Sequence, residues 1–179
     1  KPTNITAQLK VLTHPRLLLV YAITAIGYGG TFIAFTYLAP ILNEVSGFDS
    51  SSVALILLVY GVSVALGNIW GGKMADNYGP IKALTIIFAG LAGILFMLGY
   101  TAYNPITAVL TILVWGAFAF GNVPGLQVYV VKLAEKHTPH AVDVASGLNI
   151  AAFNIGIAIG AWGGGNIVAE HGLMNTPWA

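Results

Sequence analysis

The sequence predicts an all-α membrane protein of five transmembrane helices, and three observations predict it. The chain has 179 residues, 57% of them hydrophobic, yet only 7 Lys+Arg and 6 Asp+Glu. A soluble domain carries about a quarter charged residues, so these few charges cannot solvate a globule of this size and its surface faces lipid. The charges also cluster, leaving 17–43, 50–72, 83–131 and 144–169 free of any. Finally, all the basic residues fall on one side of the topology that those gaps define.

Crossing roughly 30 Å of hydrocarbon takes about 20 apolar residues at 1.5 Å each. Three gaps therefore hold one helix and the long one holds two. The spans are expected at 17–42, 51–71, 81–99, 105–132 and 142–169. Residues 4–15 read as a juxtamembrane segment leading into the first span. The long gap breaks at 99–105, where Gly99, Asn104 and the interface aromatics Tyr100 and Tyr103 precede Pro105, a residue suited to the first position of a helix. Pro40 and Pro124 lie inside spans, where a missing N–H bends or breaks the helix; a static kink and a hinge are both open readings.

Lys1, Lys10 and Arg16 precede the first span, Lys73 and Lys82 follow the second, and Lys132 and Lys136 follow the fourth. The other connections hold only Glu44, Asp49 and Glu170 as charges. The positive-inside rule then sets the N-terminal side in the cytoplasm and the final residues outside. Lys1 opens the chain without Met, and the first apolar stretch is too long for a signal peptide, so none is expected.

The chain also repeats. A single offset lays Ala65, Gly67, Gly71 and Gly72 on Ala158, Gly160, Gly164 and Gly165, and Tyr60 on Phe153. That offset equals three spans with their connections, so the second span corresponds to the fifth, running the opposite way. Inverted three-helix repeats are a transporter signature. The repeat calls for a sixth span, and residues 175–179 read as its first turn; the chain is expected to be a fragment.

Gly72, Asp76, Gly79 and Lys82, with Asn77, Pro80 and Ile81 between them, resemble the loop motif of the major facilitator superfamily. The family has this motif after its second helix and a weaker copy after its eighth, and the depleted basic cluster here resembles the weaker copy. Gly156, Gly160, Gly164 and Gly165 are similar in spacing to the family's antiporter motif, with Ala161 where that motif has Pro. Stretches 30–40, 123–127 and 145–154 extend the resemblance to bacterial proton-driven efflux permeases of the arabinose and sugar type, a branch that also includes drug efflux. The resemblance implies that 1–16 ends a cytoplasmic central linker. It further implies that 17–179 is the C-terminal transmembrane bundle, helices seven to eleven of twelve, without the sixth helix of that half. Gly72, Asp76, Gly79 and Lys82 would form a conformational gate, Asp76 favouring closure on the cytoplasmic side; a solvated loop carboxylate is the alternative. Gly67, Gly71, Gly156, Gly160 and Gly164 would let helices pack closely.

No carboxylate, Lys, Arg or His lies deep in a span, so a substrate path must use uncharged groups. Thr24, Tyr28, Thr31 and Phe35 recur on one face of the first span. Trp115, Asn122 and Tyr129 share a face of the fourth, and Asn149 and Phe153 belong to the fifth; Tyr60 and Ser63 are further candidates in the second. Unpaired amides are costly in hydrocarbon, so Asn122, Gln127, Asn149 and Asn154 must face protein or a wet cavity. In the family the first and fourth spans of a half line the cavity most directly. The third span, with Leu91, Leu95, Phe96 and Leu98, is expected to face lipid.

These residues exclude several function classes. With a net charge of +1 and no basic run, nucleic acid is not a partner. There is no Cys, and His14, His137, His140 and His171 all lie in connections, so neither a thiolate metal site nor a cofactor is expected. Ser63 lacks any in-span His to activate it, which argues against a membrane hydrolase. The expected function is alternating-access efflux of a small molecule in exchange for protons. The expected partners are the lipid bilayer, the N-terminal six-helix half, the substrate and protons, in a bacterial inner membrane. The proton-carrying residue is expected in that other half. An uptake permease of the same fold, or a non-transporting structural or assembly protein, is the alternative.

Overall fold

The computed structural model describes residues 10–179; Lys1 and most of the expected linker lie outside them. Five helices long and apolar enough to cross a membrane account for nearly all of the described chain. They are α1 (Pro15–Phe35), α2 (Ser50–Tyr78), α3 (Pro80–Thr101), α4 (Pro105–His137) and α5 (Val142–His171). Among the described residues there is no strand.

Each start has a local cause. Pro15, Pro80 and Pro105 open α1, α3 and α4, where a missing N–H removes a donor that would be unpaired anyway. Asp49 caps α2, its Oδ1 accepting from the N–H groups of Ser51 at 2.9 Å and Ser52 at 3.0 Å. Asn104 does the same for α4, accepting from Ile106 at 3.0 Å and Thr107 at 3.3 Å.

The first span is not one continuous helix. Helix α1 stops at Phe35, a short turn re-forms over Leu38–Pro40, and a π-helical turn follows over Ile41–Val45. Pro40 has no N–H to offer the carbonyl of Thr36 and its ring crowds that position, so the break lies one turn before the proline. Helix α2 departs the other way, running past residue 71 to Tyr78, so Gly72 and Asp76 are helical rather than in a loop. Gly79, at φ +81°, is the residue that ends it, and Pro80 starts α3 at once. At the C-terminal end, residues Leu173–Trp178 form a 3-10 helix instead of an α-helical turn. Trp178 closes over Gly99 and packs edge-on against Phe96 and Tyr100, each at 5.1 Å between ring centroids.

The two most extensive helix pairings are α2 with α4 and α1 with α5; α3 packs mainly on α4. Small residues make both pairings possible. A Cβ on Gly67 or Gly71 would overlap the backbone of Ala117 or Gly121 in α4. A Cβ on Gly156 or Gly160 would overlap that of Ala25 or Gly29 in α1, and one on Gly164 would lie 2.8 Å from the carbonyl oxygen of Ile33. Gly67 and Gly71 are the repeat equivalents of Gly160 and Gly164. Their partners, Ala117 with Gly29 and Gly121 with Ile33, are also related by one common offset, so the repeat is carried by packing as well as by sequence. Of the α3 residues expected to face lipid, Leu91 and Leu98 are instead buried with Ile87 against neighbouring helices, because they share the helix face that packs on α4, while Phe96 is exposed with Ile86 and Met97 on an apolar outer face.

Candidate functional site

Helices α1, α2, α4 and α5 border a half-open cavity of about 290 Å³. Thr24 and Tyr28 reach it from α1, Asn68 from α2, Gln127, Phe120, Val123 and Leu126 from α4, and Asn149, Ile150 and Phe153 from α5. Thr24 lies eight residues from Arg16, and Asn68 and Gln127 lie five residues, or roughly 8 Å at 1.5 Å rise, from Lys73 and Lys132. No charged side chain is in the lining.

The polar groups are joined in two hydrogen-bonded sets. The Thr24 hydroxyl donates to Asn149 Oδ1 at 2.7 Å, the Asn149 amide donates to Gln127 Oε1 at 3.1 Å, and the Gln127 amide donates to the Ser146 hydroxyl. Separately, Tyr28 donates to Asn122 Oδ1 at 2.7 Å, and the Asn122 amide donates to the Ala119 carbonyl at 3.0 Å. Thr24, Tyr28, Asn122 and Asn149 are buried, so in hydrocarbon each bond also removes the cost of an orphaned polar group. The Phe153 ring packs edge-on against Tyr28 at 3.9 Å between centroids, and Phe120 approaches from the other side at 6.1 Å.

The other expected cavity residues lie elsewhere. Asn122 supports Tyr28 from behind. The Thr31 hydroxyl donates to the Gly27 carbonyl of its own helix at 3.0 Å. Phe35 stacks on Tyr60 at 5.4 Å, and Trp115 completes that aromatic cluster in the core toward the other ends of the helices. There the Tyr60 hydroxyl and the Trp115 Nε1–H are buried with no partner among the described residues. Tyr129 lines a different cavity of about 430 Å³, bordered by Arg16, Leu84 and Phe88.

The residues expected to form a gate fall at or near the junction of α2 and α3. Gly72 faces Pro124 of α4, whose Cβ would lie in ordinary contact, 3.7 Å, from a Cβ added there. Asp76 is exposed in the last turn of α2, and no hydrogen bond or ion pair joins it among the described residues. The Lys82 ammonium lies over the Tyr78 ring, 5.5 Å from its centroid, rather than on Asp76. Among the described residues no three His, Cys, Asp or Glu side chains converge as a metal site would need.

Residues 1–171 match the Major Facilitator Superfamily. The chain belongs to that family. It is 54% identical over 98% of its length to the uncharacterized MFS-type transporter YtbD of Bacillus subtilis (strain 168), covering 44% of that protein. It is 33% identical over 93% of its length to the inner membrane transport protein YdhP of Escherichia coli (strain K12), covering 41% of it. A probable sugar efflux transporter of Pasteurella multocida (strain Pm70) is 31% identical over 89% of this chain, which covers 38% of that protein. The chain thus spans less than half the length of these relatives.

As a major facilitator chain it carries the membrane-transporter fold that the loop and glycine motifs implied, with sugar efflux represented among its relatives. Four of the expected cavity residues, Thr24, Tyr28, Asn149 and Phe153, do line one cavity. Asn68 was missed by sequence reasoning. Its signal was available, as the sole carboxamide between residues 51 and 71, but it is flanked by small residues that read as packing. Phe120, Val123, Leu126 and Ile150 carry no such signal, because apolar residues in a span look alike until the helices are assembled.

Proposed function

We propose that this chain is the C-terminal half, helices seven to eleven, of a secondary transporter in a bacterial inner membrane. It moves a small neutral solute by alternating access and couples efflux to proton entry. The observation that carries this reading is the cavity walled by Thr24, Tyr28, Asn68, Gln127 and Asn149 together with the rings of Phe120 and Phe153. Hydroxyls and amides exchange hydrogen bonds with a neutral polar solute without the desolvation cost of a buried charge, and the rings supply an apolar wall. The sugar efflux name of the Pasteurella relative supports a sugar as that solute.

Proton coupling needs an ionisable group near the path. The lining of this half offers none, so the proton carrier belongs to the other six-helix half. Alternating access then rocks the two halves about the cavity, with the Asp76 turn acting on the cytoplasmic side.

Full-length protein reconstituted in vesicles tests the reading. Exchange of labelled sugar across the membrane, accelerated by a proton gradient that is acid on the outer side, is the expected result. Acceleration only by the opposite gradient would make it an uptake permease, and no exchange of any solute would return it to a structural or assembly role. Asp49→Cys and Asp76→Cys are expected to label from opposite faces; labelling from one face would sink the topology.

A further inference from the structure

We infer that Asn68 is the side chain through which α2 contacts the solute, an inference that rests on the cavity being the transport site. Thr24, Tyr28, Asn122, Gln127 and Asn149 each donate to another group of the protein. Asn68 lines the same cavity, and no hydrogen bond joins its amide among the described residues. It is only partly buried, and its amide is accessible rather than sealed inside the protein. An amide inside a membrane span is costly unless something pairs with it.

Packing does not explain its presence. The residues that bring α2 onto α4 are Gly67 and Gly71, whose missing side chains admit the backbone of Ala117 and Gly121. In the repeat, Asn68 corresponds to Ala161 of α5, so the same packing is made in the second copy without an amide. Asn68 therefore departs from the repeat at a position where the fold is served by a small residue, and it departs with two donors and an acceptor.

The Thr24 and Tyr28 hydroxyls are buried and donate within the protein, whereas the Asn68 amide keeps its two donors and its acceptor uncommitted among the described residues. A solute hydroxyl, itself donor and acceptor, pairs with that amide in both senses.

The test uses the full-length transporter in vesicles, with tritiated D-glucose and D-xylose and each of their monodeoxy analogues as probes. Wild type is expected to discriminate about tenfold against an analogue lacking one particular hydroxyl, and Asn68→Leu is expected to lose that discrimination while keeping the others. Because Asn68→Leu removes an unpartnered amide, its thermal midpoint should match or exceed that of wild type. A uniform loss across all analogues would overturn the inference. A second arm asks whether the position faces the aqueous path at all. This chain contains no cysteine, so with cysteines of the other half replaced, Asn68→Cys should react with membrane-impermeant sulfonatoethyl methanethiosulfonate and Gly93→Cys on α3 should not. Labelling without transport of any sugar would sustain Asn68 and sink the sugar reading. Absence of labelling would overturn Asn68 whatever solute is moved.

Discussion

The carbonyl oxygen of Gly29 occupies the space that a Cβ on Gly160 would need. Two transmembrane backbones touch there, and the same is true of Gly67 against Ala117 in the other half of the repeat. Gly93 on α3 has nothing within 4 Å of its Cβ position. Gly160→Leu is therefore expected to destabilise by at least about 1 to 3 kcal/mol through overpacking, and Gly93→Leu by no more than about 0.5 kcal/mol. Thermal melting and solute exchange of the full-length variants at matched expression check this. Equal behaviour of the two would count against a packed α1 and α5.

Two buried tyrosines should respond in opposite ways to the same deletion. Tyr28→Phe strands Asn122 Oδ1, which receives that hydroxyl at 2.7 Å, whereas Tyr60→Phe removes a hydroxyl that has no partner among the described residues. The first is expected to cost about 1 kcal/mol, within the range measured for hydrogen bonds between membrane helices, and the second to be neutral or slightly stabilising. Denaturant titration in detergent, with an Asn122→Leu and Tyr28→Phe double-mutant cycle, measures the coupling.

Acid should loosen the start of α2. The Ser51 hydroxyl first, then the N–H and hydroxyl of Ser52, hold the Asp49 carboxyl below its ordinary range. A carboxyl lowered on folding stabilises fully above its unfolded value of about 4, and that stabilisation is lost as pH falls through the lowered folded value. Asp49→Asn keeps an accepting oxygen at the cap and does not titrate. The gap in thermal midpoint between wild type and Asp49→Asn should be constant above about pH 5 and narrow as pH falls below it; a gap unchanged down to about pH 3 would mean that the cap carries no charge-dependent stability.

Asp76 separates fold from function. With no partner among the described residues and Lys82 engaged by Tyr78, Asp76→Asn should leave the melting of this half unchanged. If the carboxylate holds the cytoplasmic mouth closed by bonding to the other half, the same variant shifts the full-length protein toward inward-open. Spin-pair distances across that mouth report the shift, and an unchanged distribution would make Asp76 a solvated carboxylate.

Much of the site was legible because polar residues in a span must be accounted for. Thr24, Tyr28, Asn122 and Asn149 stand out against an apolar background, and all of them are hydrogen-bonded between helices. Periodicity misled where it gave a face without a neighbour. Phe35 lies on the helical stripe that begins with Thr24, but seven residues, or roughly 10 Å, beyond Tyr28, so it meets Tyr60 and Trp115 at another level of the bundle. Thr31 is on the same stripe and bonds to its own helix, a local option that spacing does not reveal.

By itself the sequence determined the number of spans, their order and the repeat, because each depends on quantities that add along the chain: apolar length, charge and the spacing of small residues. Only the tertiary structure decided which helices touch, where the first span breaks, that the Asp76 motif is helical, and that Asn68 belongs to the cavity. The reason is that hydrocarbon constrains a span to be apolar but leaves its neighbours unspecified. Helix pairing is chosen by backbone approach at glycines such as Gly67 and Gly160, and a cavity exists only where four separately encoded helices leave a space between them.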